Sequence, residues 1–567
     1  IKKGNLLMIK PASEKKLSHN EILKENDPLL AGNLAATLND PEVDRFSKDD
    51  GQFLKFHGIY QQDDRDKRKT GKHYMFMIRG RIASGIMAPD QYRVYDDLAT
   101  NYANNTLRLT SRQSIQFHGV VKTGLGPLMK TINEALMTTL AACGDVNRNV
   151  MASPTPATDA WINEVHEDSE LLSNALQPTT QAYHSIWVEG VQLDLEEHKD
   201  HDDPLYGKTY LPRKFKTAFA IPPLNDVDLF TNCLGFVAIA ENDKLVGYNL
   251  TAGGGLGMSH NNPNTFPRKA DVIGYIARDQ IENVAKGVLT IHRDFGDRTD
   301  RKHARLKYVL EEKGVEWFRN ELEKRIGFKL EDAKPFEFTR QGDRFGWHKQ
   351  ADGNHFLGLF VEAGRIKDTD SIQLKTAIRK VVDSYNTEIR LTPTQNILIV
   401  NVTPESVEGI NKILADHGVQ TTHEKSPVRS ATMACPALPT CGLALAESER
   451  YLPGLIDRVE GLLGNAGIPQ EEIIIRMTGC PNGCARPYMA ELAFVGRAPK
   501  KYNVYVGGNE SGTRLNRLYK VSVKDDEMDE LLGSLLHRFK GERQTDERFG
   551  DWSARALWKE LDEQEEV

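Results

Sequence analysis

Four of the six cysteines lie close together in the last third of the chain: Cys435, Cys441, Cys480 and Cys484. The spacing is Cys-x5-Cys followed by Cys-x3-Cys, and four thiolates so placed can hold a [4Fe–4S] cube or a tetrahedral zinc. Structural zinc usually takes Cys-x2-Cys knuckles, and neither pair is one. Both Cys480-Pro-Asn-Gly-Cys484 and Cys435-Pro-Ala-Leu-Pro-Thr-Cys441 are interrupted by Pro, with Gly in the first as well. Such bends free backbone N–H groups to donate to sulfur. Cys143 and Cys233 stand alone. Six cysteines in 567 residues are too few for a disulfide scaffold, so the group of four reads as a metal site in a cytosolic chain.

A second constellation is basic. Arg79 and Arg81 end a predicted strand, Arg108 and Arg112 flank another, and Arg148 sits in Asn147-Arg-Asn149. In Leu211-Pro-Arg-Lys-Phe-Lys216 the alternation of an extended segment puts Lys214 and Lys216 on one side. Arg298, Arg301, Lys302 and Arg305 follow. Singly, each reads as a solvated charge. Together, beside apolar strand residues where an unpaired cation is costly, they imply an anionic partner: a molecule with many carboxylates, or a small oxyanion. His57 and His118 each follow a Phe, a setting shared by hydrogen-bonded core histidines and by residues next to a cofactor. The acidic stretch Glu196–Asp203 reads as a solvated loop rather than a cation site. Gly253-Gly-Gly-Leu-Gly257 does not match G-x-G-x-x-G, and no other dinucleotide fingerprint is present.

The elements that must position these residues occur twice. Leu107-Arg-Leu-Thr-Ser-Arg-Gln-Ser-Ile115 returns half a chain later as Ile389-Arg-Leu-Thr-Pro-Thr-Gln-Asn-Ile397, and Tyr248-Asn-Leu-Thr-Ala-Gly-Gly254 returns as Tyr502-Asn-Val-Tyr-Val-Gly-Gly508. Two matched segments in the same order argue for a duplicated two-domain unit, since a solenoid repeats every ~20–50 residues. Tyr74–Ile82 and Ser114–Val121 read as strands, with Leu357–Val361 and Ile397–Val402 as counterparts. Pro89–Tyr102, Gly126–Ala142 and Gln373–Ser384 read as helices, giving an α+β layer in each half. Residues 1–65 have no counterpart and read as an extension wrapping the core. The tail after Gly541 reads as solvated. The divisions are then 1–65, 66–142, 143–343, 344–420 and 421–567.

Composition is that of a large folded protein, 39% hydrophobic and 27% charged. The net charge of −7 disfavours a nucleic-acid-coating protein. No run approaches the ~18 apolar residues of a membrane span, and the first residues lack a signal-peptide layout. A soluble cytoplasmic protein is expected.

Thr478-Gly-Cys-Pro-Asn-Gly-Cys484 with the upstream cysteine pair, Arg108-Leu-Thr-x-Arg-Gln113 and Gln116-Phe-His-Gly119 together resemble the sirohaem-dependent sulfite and nitrite reductases. Phe56-His-Gly-x-Tyr-Gln-Gln-Asp-Asp-Arg65 and Tyr210-Leu-Pro-Arg-Lys-Phe-Lys216 narrow the resemblance to the haemoprotein branch of assimilatory sulfite reductases, over nearly the whole chain. The resemblance implies two ferredoxin-like half-domains and two larger α/β modules around a pseudo-twofold axis. It implies sirohaem joined to a [4Fe–4S] cluster held by Cys435, Cys441, Cys480 and Cys484, with Cys484 shared as the haem iron's ligand. Arg79, Arg148, Lys214 and Lys216 would surround the substrate. Lys55, Arg108, Arg112, His118 and Arg305 would face the macrocycle, whose carboxylates the cations would neutralise. The glycine runs 253–255 and 507–508 would let backbone approach it.

The reaction implied is sulfite to sulfide by six electrons and seven protons, feeding cysteine biosynthesis, with nitrite as an alternative substrate. The donor would be an NADPH-linked FAD/FMN flavoprotein subunit in a hetero-oligomer, or a ferredoxin. Lys216 favours sulfite, because the nitrite branch commonly has Asn there. Lys55 and Arg305 exchange Arg and Lys relative to the family pattern, keeping charge while changing hydrogen-bond geometry. Met151 follows Asn147-Arg-Asn-Val150, where some ferredoxin-linked relatives carry a cysteine crosslinked to tyrosine.

Overall fold

A computed structural model describes residues 16–156, 159, 161–191, 200–420 and 425–565. Ten strands of the first half are β1 Ile59–Asp63, β2 Tyr74–Arg79, β3 Ile86–Met87, β4 Leu107–Leu109, β5 Ile115–Val120, β6 Met151–Ala152, β7 Thr217–Ala220, β8 Leu234–Glu241, β9 Lys244–Ala252 and β10 Asp271–Ala277. Ten more follow: β11 Gly346–Lys349, β12 His355–Leu359, β13 Arg365–Ile366, β14 Glu388–Leu391, β15 Ile397–Val402, β16 Thr432–Ala434, β17 Ile475–Thr478, β18 Leu492–Ala498, β19 Lys501–Val506 and β20 Arg517–Lys524.

They form four five-stranded sheets. Two are antiparallel, in the orders β1-β2-β5-β4-β13 and β11-β12-β15-β14-β3. The other two, β6-β7-β8-β9-β10 and β16-β17-β18-β19-β20, each start with two parallel pairings and end with two antiparallel ones. The duplication seen in the sequence is therefore a duplication of topology. It is also reciprocal: β13 of the second half closes the first sheet against β4, and β3 of the first half closes the second against β14.

The local reasons are ordinary ones. The β15 residues Ile397–Val400 form an apolar run buried on both faces, as a central strand requires. The helix Leu374–Tyr385 buries Leu374, Ala377, Ile378, Val381 and Val382 along one stripe and stops at Asn386, whose φ of +50° ends the helix. The helix Pro89–Tyr102 starts on Pro at its first position, with the Gln91 side chain accepting from Ala88 N. These two helices meet across the two halves, where Arg93 donates to the Val382 carbonyl and Lys375 pairs with Asp96. Tyr95 of the helix Pro89–Tyr102 stacks on Phe117 of β5 at 5.5 Å between centroids, both fully buried, and the Phe117 ring contributes about 1.5–3 kcal/mol by leaving water.

Three sequence expectations change. The helix expected at 126–142 runs Lys122–Glu134, because Pro127 is accommodated within its first turns. The segment read as an unpartnered extension contains β1, whose counterpart is β11. The tail is packed rather than solvated: Phe549, Trp552 and Leu557 are fully buried against Phe539 and its neighbours. The glycine runs are also tightly packed. A Cβ at Gly507 would lie 2.6 Å from the Trp558 ring, and one at Gly254 would lie 2.2 Å from the Phe230 carbonyl oxygen. Among the described residues no helix is long and apolar enough to cross a membrane. Residues 196–199 of the acidic stretch lie outside them.

Candidate active site

The four cysteines sit on the loops that follow β16 and β17, two parallel neighbours whose ends lie side by side. Cys435 and Cys480 are buried, Cys441 is partly so, and the Cys484 side of the group is exposed. The Gly479 N–H donates to Cys435 Sγ at 3.3 Å, and Asn482 Nδ2 donates to Cys480 Sγ at 3.4 Å. Burial, and then the neighbouring Cys484 thiol, push Cys435 and Cys441 upward and Cys480 up to about 11. The four therefore surround one space. Among the described residues no three His, Cys, Asp or Glu side chains converge tightly enough for a single ion. A tetrahedral zinc would need its sulfurs about 3.8 Å apart, given ~2.3 Å bonds. The donor chemistry and the N–H···S bonds fit a cluster.

The basic residues divide into two groups. In the first, strand register does the positioning. Arg79 faces Gln116 on β5, Gln116 faces Arg108 on β4, and Arg108 faces Arg365 on β13, so four polar side chains form one row across four strands. His118, two residues along β5, hydrogen-bonds the Gln116 amide at 3.1 Å. Burial, with Arg365 next in effect, lowers the His118 pKa far below its ordinary value, so its ring is neutral and accepts. With the Gln116 amide nitrogen donating to His118, its oxygen accepts from Arg79 Nε at 2.9 Å. Arg108 and Arg365 converge on Glu449: Arg108 Nε at 2.9 Å, Arg365 Nε at 2.7 Å and Nη2 at 2.9 Å. Burial opposes ionisation of Glu449, but the two guanidinium groups hold it at about 2. Arg108 also donates to the Ala434 carbonyl at 2.6 Å, next to Cys435. Its guanidinium is thus engaged by the protein, anchoring the thiol loop.

The second group lacks such partners. Lys214 and Lys216 have no hydrogen-bonding partner for Nζ among the described residues. They are deep in the fold yet keep partial exposure, which places them on the wall of an internal recess. Burial, followed by the other cations around them, lowers both pKa values well below the lysine norm. Arg112 comes from the β4–β5 turn, donating to Asn232 Oδ1 at 2.9 Å and the Thr217 carbonyl at 2.7 Å, with its Nε buried and unpaired. Arg305 donates to Cys233 Sγ at 3.2 Å and also leaves Nε unpaired. Arg148 reaches the Gly144 carbonyl at 3.2 Å. Burial, with Arg301 next in effect, lowers Lys55 to about 8, and it bonds Gln52. Ser111, beside Arg112, donates to the Cys484 carbonyl at 2.7 Å, which joins the thiol loop to the recess.

Some cations leave the set. Arg301 forms a two-pronged pair with Asp145 at 2.7 and 2.9 Å, and Arg298 pairs with Glu21. His57 is a core residue, its Nδ1 accepting from Trp187 Nε1 at 2.7 Å. Sequence reasoning missed Gln116, Glu449, Asp145, Asn232 and Asn482. Gln116 was within a motif already noticed. Asn482 was within another, two residues from its partner Cys480, whereas Glu449, Asp145 and Asn232 carry no local signal, because their partners come from distant parts of the chain.

A family model for the nitrite/sulfite reductase ferredoxin-like half domain matches residues 66–135 and again 348–417, the two antiparallel-sheet regions. A model for the nitrite and sulphite reductase 4Fe-4S domain matches residues 167–330, the module whose only cysteine is Cys233. The chain belongs to the nitrite and sulfite reductase family. Its curated relatives are more particular. It is 46% identical to the sulfite reductase [NADPH] hemoprotein beta-component of Staphylococcus carnosus, over 94% of this chain and 96% of the relative. It is 47% identical to the protein of that name from Myxococcus xanthus, over 96% and 97%. The solved structure of Mycobacterium tuberculosis NirA covers 95% of this chain and 96% of its own, with a TM-score of 0.79 at 23% identity, a likeness of fold.

Proposed function

We propose that the chain is the haemoprotein subunit of an assimilatory sulfite reductase, reducing sulfite to sulfide with six electrons and seven protons. The observation that carries this reading is the recess itself: Lys214, Lys216, Arg112, Arg148 and Arg305 gather there with too few protein anions to match them, beside the exposed Cys484. Curated relatives named as NADPH sulfite reductase hemoproteins support it. Cys435, Cys441, Cys480 and Cys484 would hold a [4Fe–4S] cluster, with Cys484 also bound to the iron of a sirohaem. When bound, that pair would supply the electrons for reducing sulfite.

The chain's own residues do the rest. Arg79 and Arg148 keep their charge and receive sulfite oxygens. Lys214 and Lys216, poised toward the neutral form by burial, gain protons when an oxyanion offsets their mutual repulsion. They can then hand those protons to oxygens leaving as water. Arg112 and Arg305, with unpaired Nε atoms, suit the carboxylates of the macrocycle, which Lys55 and His118 would also face. Arg108 contributes indirectly through the Ala434 carbonyl.

The electron donor would be an NADPH-linked FAD/FMN flavoprotein in a cytoplasmic hetero-oligomer, with ferredoxin as the alternative and nitrite as a second substrate. The test is the visible spectrum of the purified protein, followed by sulfide production from sulfite with reduced methyl viologen. Sirohaem bands with sulfide production are expected. A colourless protein from a sirohaem-making host would overturn the reading, and a strong preference for nitrite would move it to the sister branch.

A further inference from the structure

Cys143 and Gly144 lie in one bend leading toward β6, and between them they grip both arginines assigned to the substrate. Arg79 Nη1 donates to Cys143 Sγ at 3.1 Å. Arg148 Nε and Nη2 donate to the Gly144 carbonyl at 3.3 and 3.2 Å. The bend is fixed from outside. Gly144 has φ of +89°, and a Cβ there would lie 2.9 Å from Phe56 Cδ1. Just before it, Ala141 N donates to the Phe56 carbonyl at 2.8 Å. Cys143 is fully buried and is not among the clustered thiols. Its sulfur accepts from one guanidinium nitrogen, while the Gln116 oxygen takes Nε of the same group. Arg79 is thereby held from two sides with N–H groups to spare.

We propose that Cys143 is a positioning residue for sulfite: its sulfur fixes Arg79 while the adjacent Gly144 carbonyl fixes Arg148, so that one rigid bend sets the separation at which two guanidinium groups meet a single oxyanion. This inference rests on the assignment of Arg79 and Arg148 to sulfite. The sulfur undergoes no redox step. An arginine released from one acceptor keeps its charge but loses its aim, so binding suffers more than turnover at saturation.

The experiment compares the cofactor-loaded parent with C143A, C143S and R79A. Each is titrated with sulfite while the visible bands are followed, and KM and kcat are measured with reduced methyl viologen. C143A should weaken sulfite binding and raise KM about tenfold, the usual scale for losing one charge-assisted hydrogen bond, with kcat little changed. C143S, whose hydroxyl accepts the same N–H, should stay within about threefold of the parent. The bands themselves should be unchanged. The proposal is overturned if C143A binds sulfite like the parent while R79A does not, if C143S is as poor as C143A, or if C143A loses the visible bands. Parent-like binding by R79A would instead show that the assignment of Arg79 to sulfite is wrong.

Discussion

At the scale of single residues, the recess is a place where charge has been left unmatched. Lys214→Ala or Lys216→Ala should lower sulfite turnover about a hundredfold, the usual range for a proton donor, with the visible spectrum intact. Because both pKa values lie below the lysine norm, the unfolded state binds more protons than the folded one between the folded pKa and 10.5. Their presence therefore costs the cofactor-free protein stability, and that cost shrinks as pH rises through this window. Sulfate should accordingly raise the melting temperature of the cofactor-free protein more at pH 6 than at pH 9, and less in either alanine variant. Cys484→Ser should lose or uncouple the haem bands, and a normal spectrum in that variant would refute its bridging role. Much of this was legible: the cysteine spacing and Lys-Phe-Lys alternation are local patterns. Which cations already had partners was not. Arg301 and Arg108 look alike in sequence to Arg305, but Asp145 and Glu449 reach them only through tertiary structure.

At the scale of elements, the row Arg79–Gln116–Arg108–Arg365 makes strand register a functional quantity. A slip of one residue in β13 would turn Arg365 to the other face and leave Glu449 with one partner. Glu449→Gln should destabilise the protein by about 3 kcal/mol, since two buried guanidinium groups lose their counter-charge. Glu449 ionises at about 2 in the fold and 4.5 in its reference state, so the stability it supplies is complete above 4.5 and lost as pH falls toward 2. Acid unfolding of the variant should lack that part of the drop. Gly85→Ala should also lower the melting temperature, since its φ is +70° and a Cβ would lie 2.5 Å from the Leu391 carbonyl oxygen. Strands and the helices Pro89–Tyr102 and Leu374–Tyr385 were readable from period and caps. The packed tail was hidden because charged residues outnumber Phe549, Trp552 and Leu557 around it.

At the scale of the whole molecule, duplication has been followed by divergence. Gln113 Oε1 accepts from Ala152 N on β6, as Gln395 Oε1 accepts from Ala434 N on β16. Those alanines face Phe219 and Met477, respectively. Counting along β7 and β17 from these partners, the positions of Lys214 and Lys216 fall on Glu472 and Ile474, and Arg112 corresponds to Thr394. Lys214, Lys216 and Arg112 thus have no cation at the matching positions of the second copy. Thr394 instead joins Thr392 and Asn396 in donating to Asp343 of the connecting segment, and Thr394 and Asp343 line a cavity of about 550 Å³ with Glu472 and Ile474. The N-terminal segment serves the active copy: Lys24, fully within the fold, donates to Glu21 at 2.6 Å and to the Leu211 carbonyl at 2.9 Å, just ahead of Lys214. Lys24→Met should cost about 3 kcal/mol in thermal unfolding and raise the sulfite KM.

The reciprocal exchange of β3 and β13 has a further effect. Thr106 and Arg365 touch although 259 positions separate them along the chain. On the ribosome, the first sheet must wait with an open edge until Arg365–Ile366, near the start of the second half, has emerged, and neither half can be cut away as a self-sufficient piece. The two copies are laced like the arms of a swapped dimer whose partners have become one polypeptide.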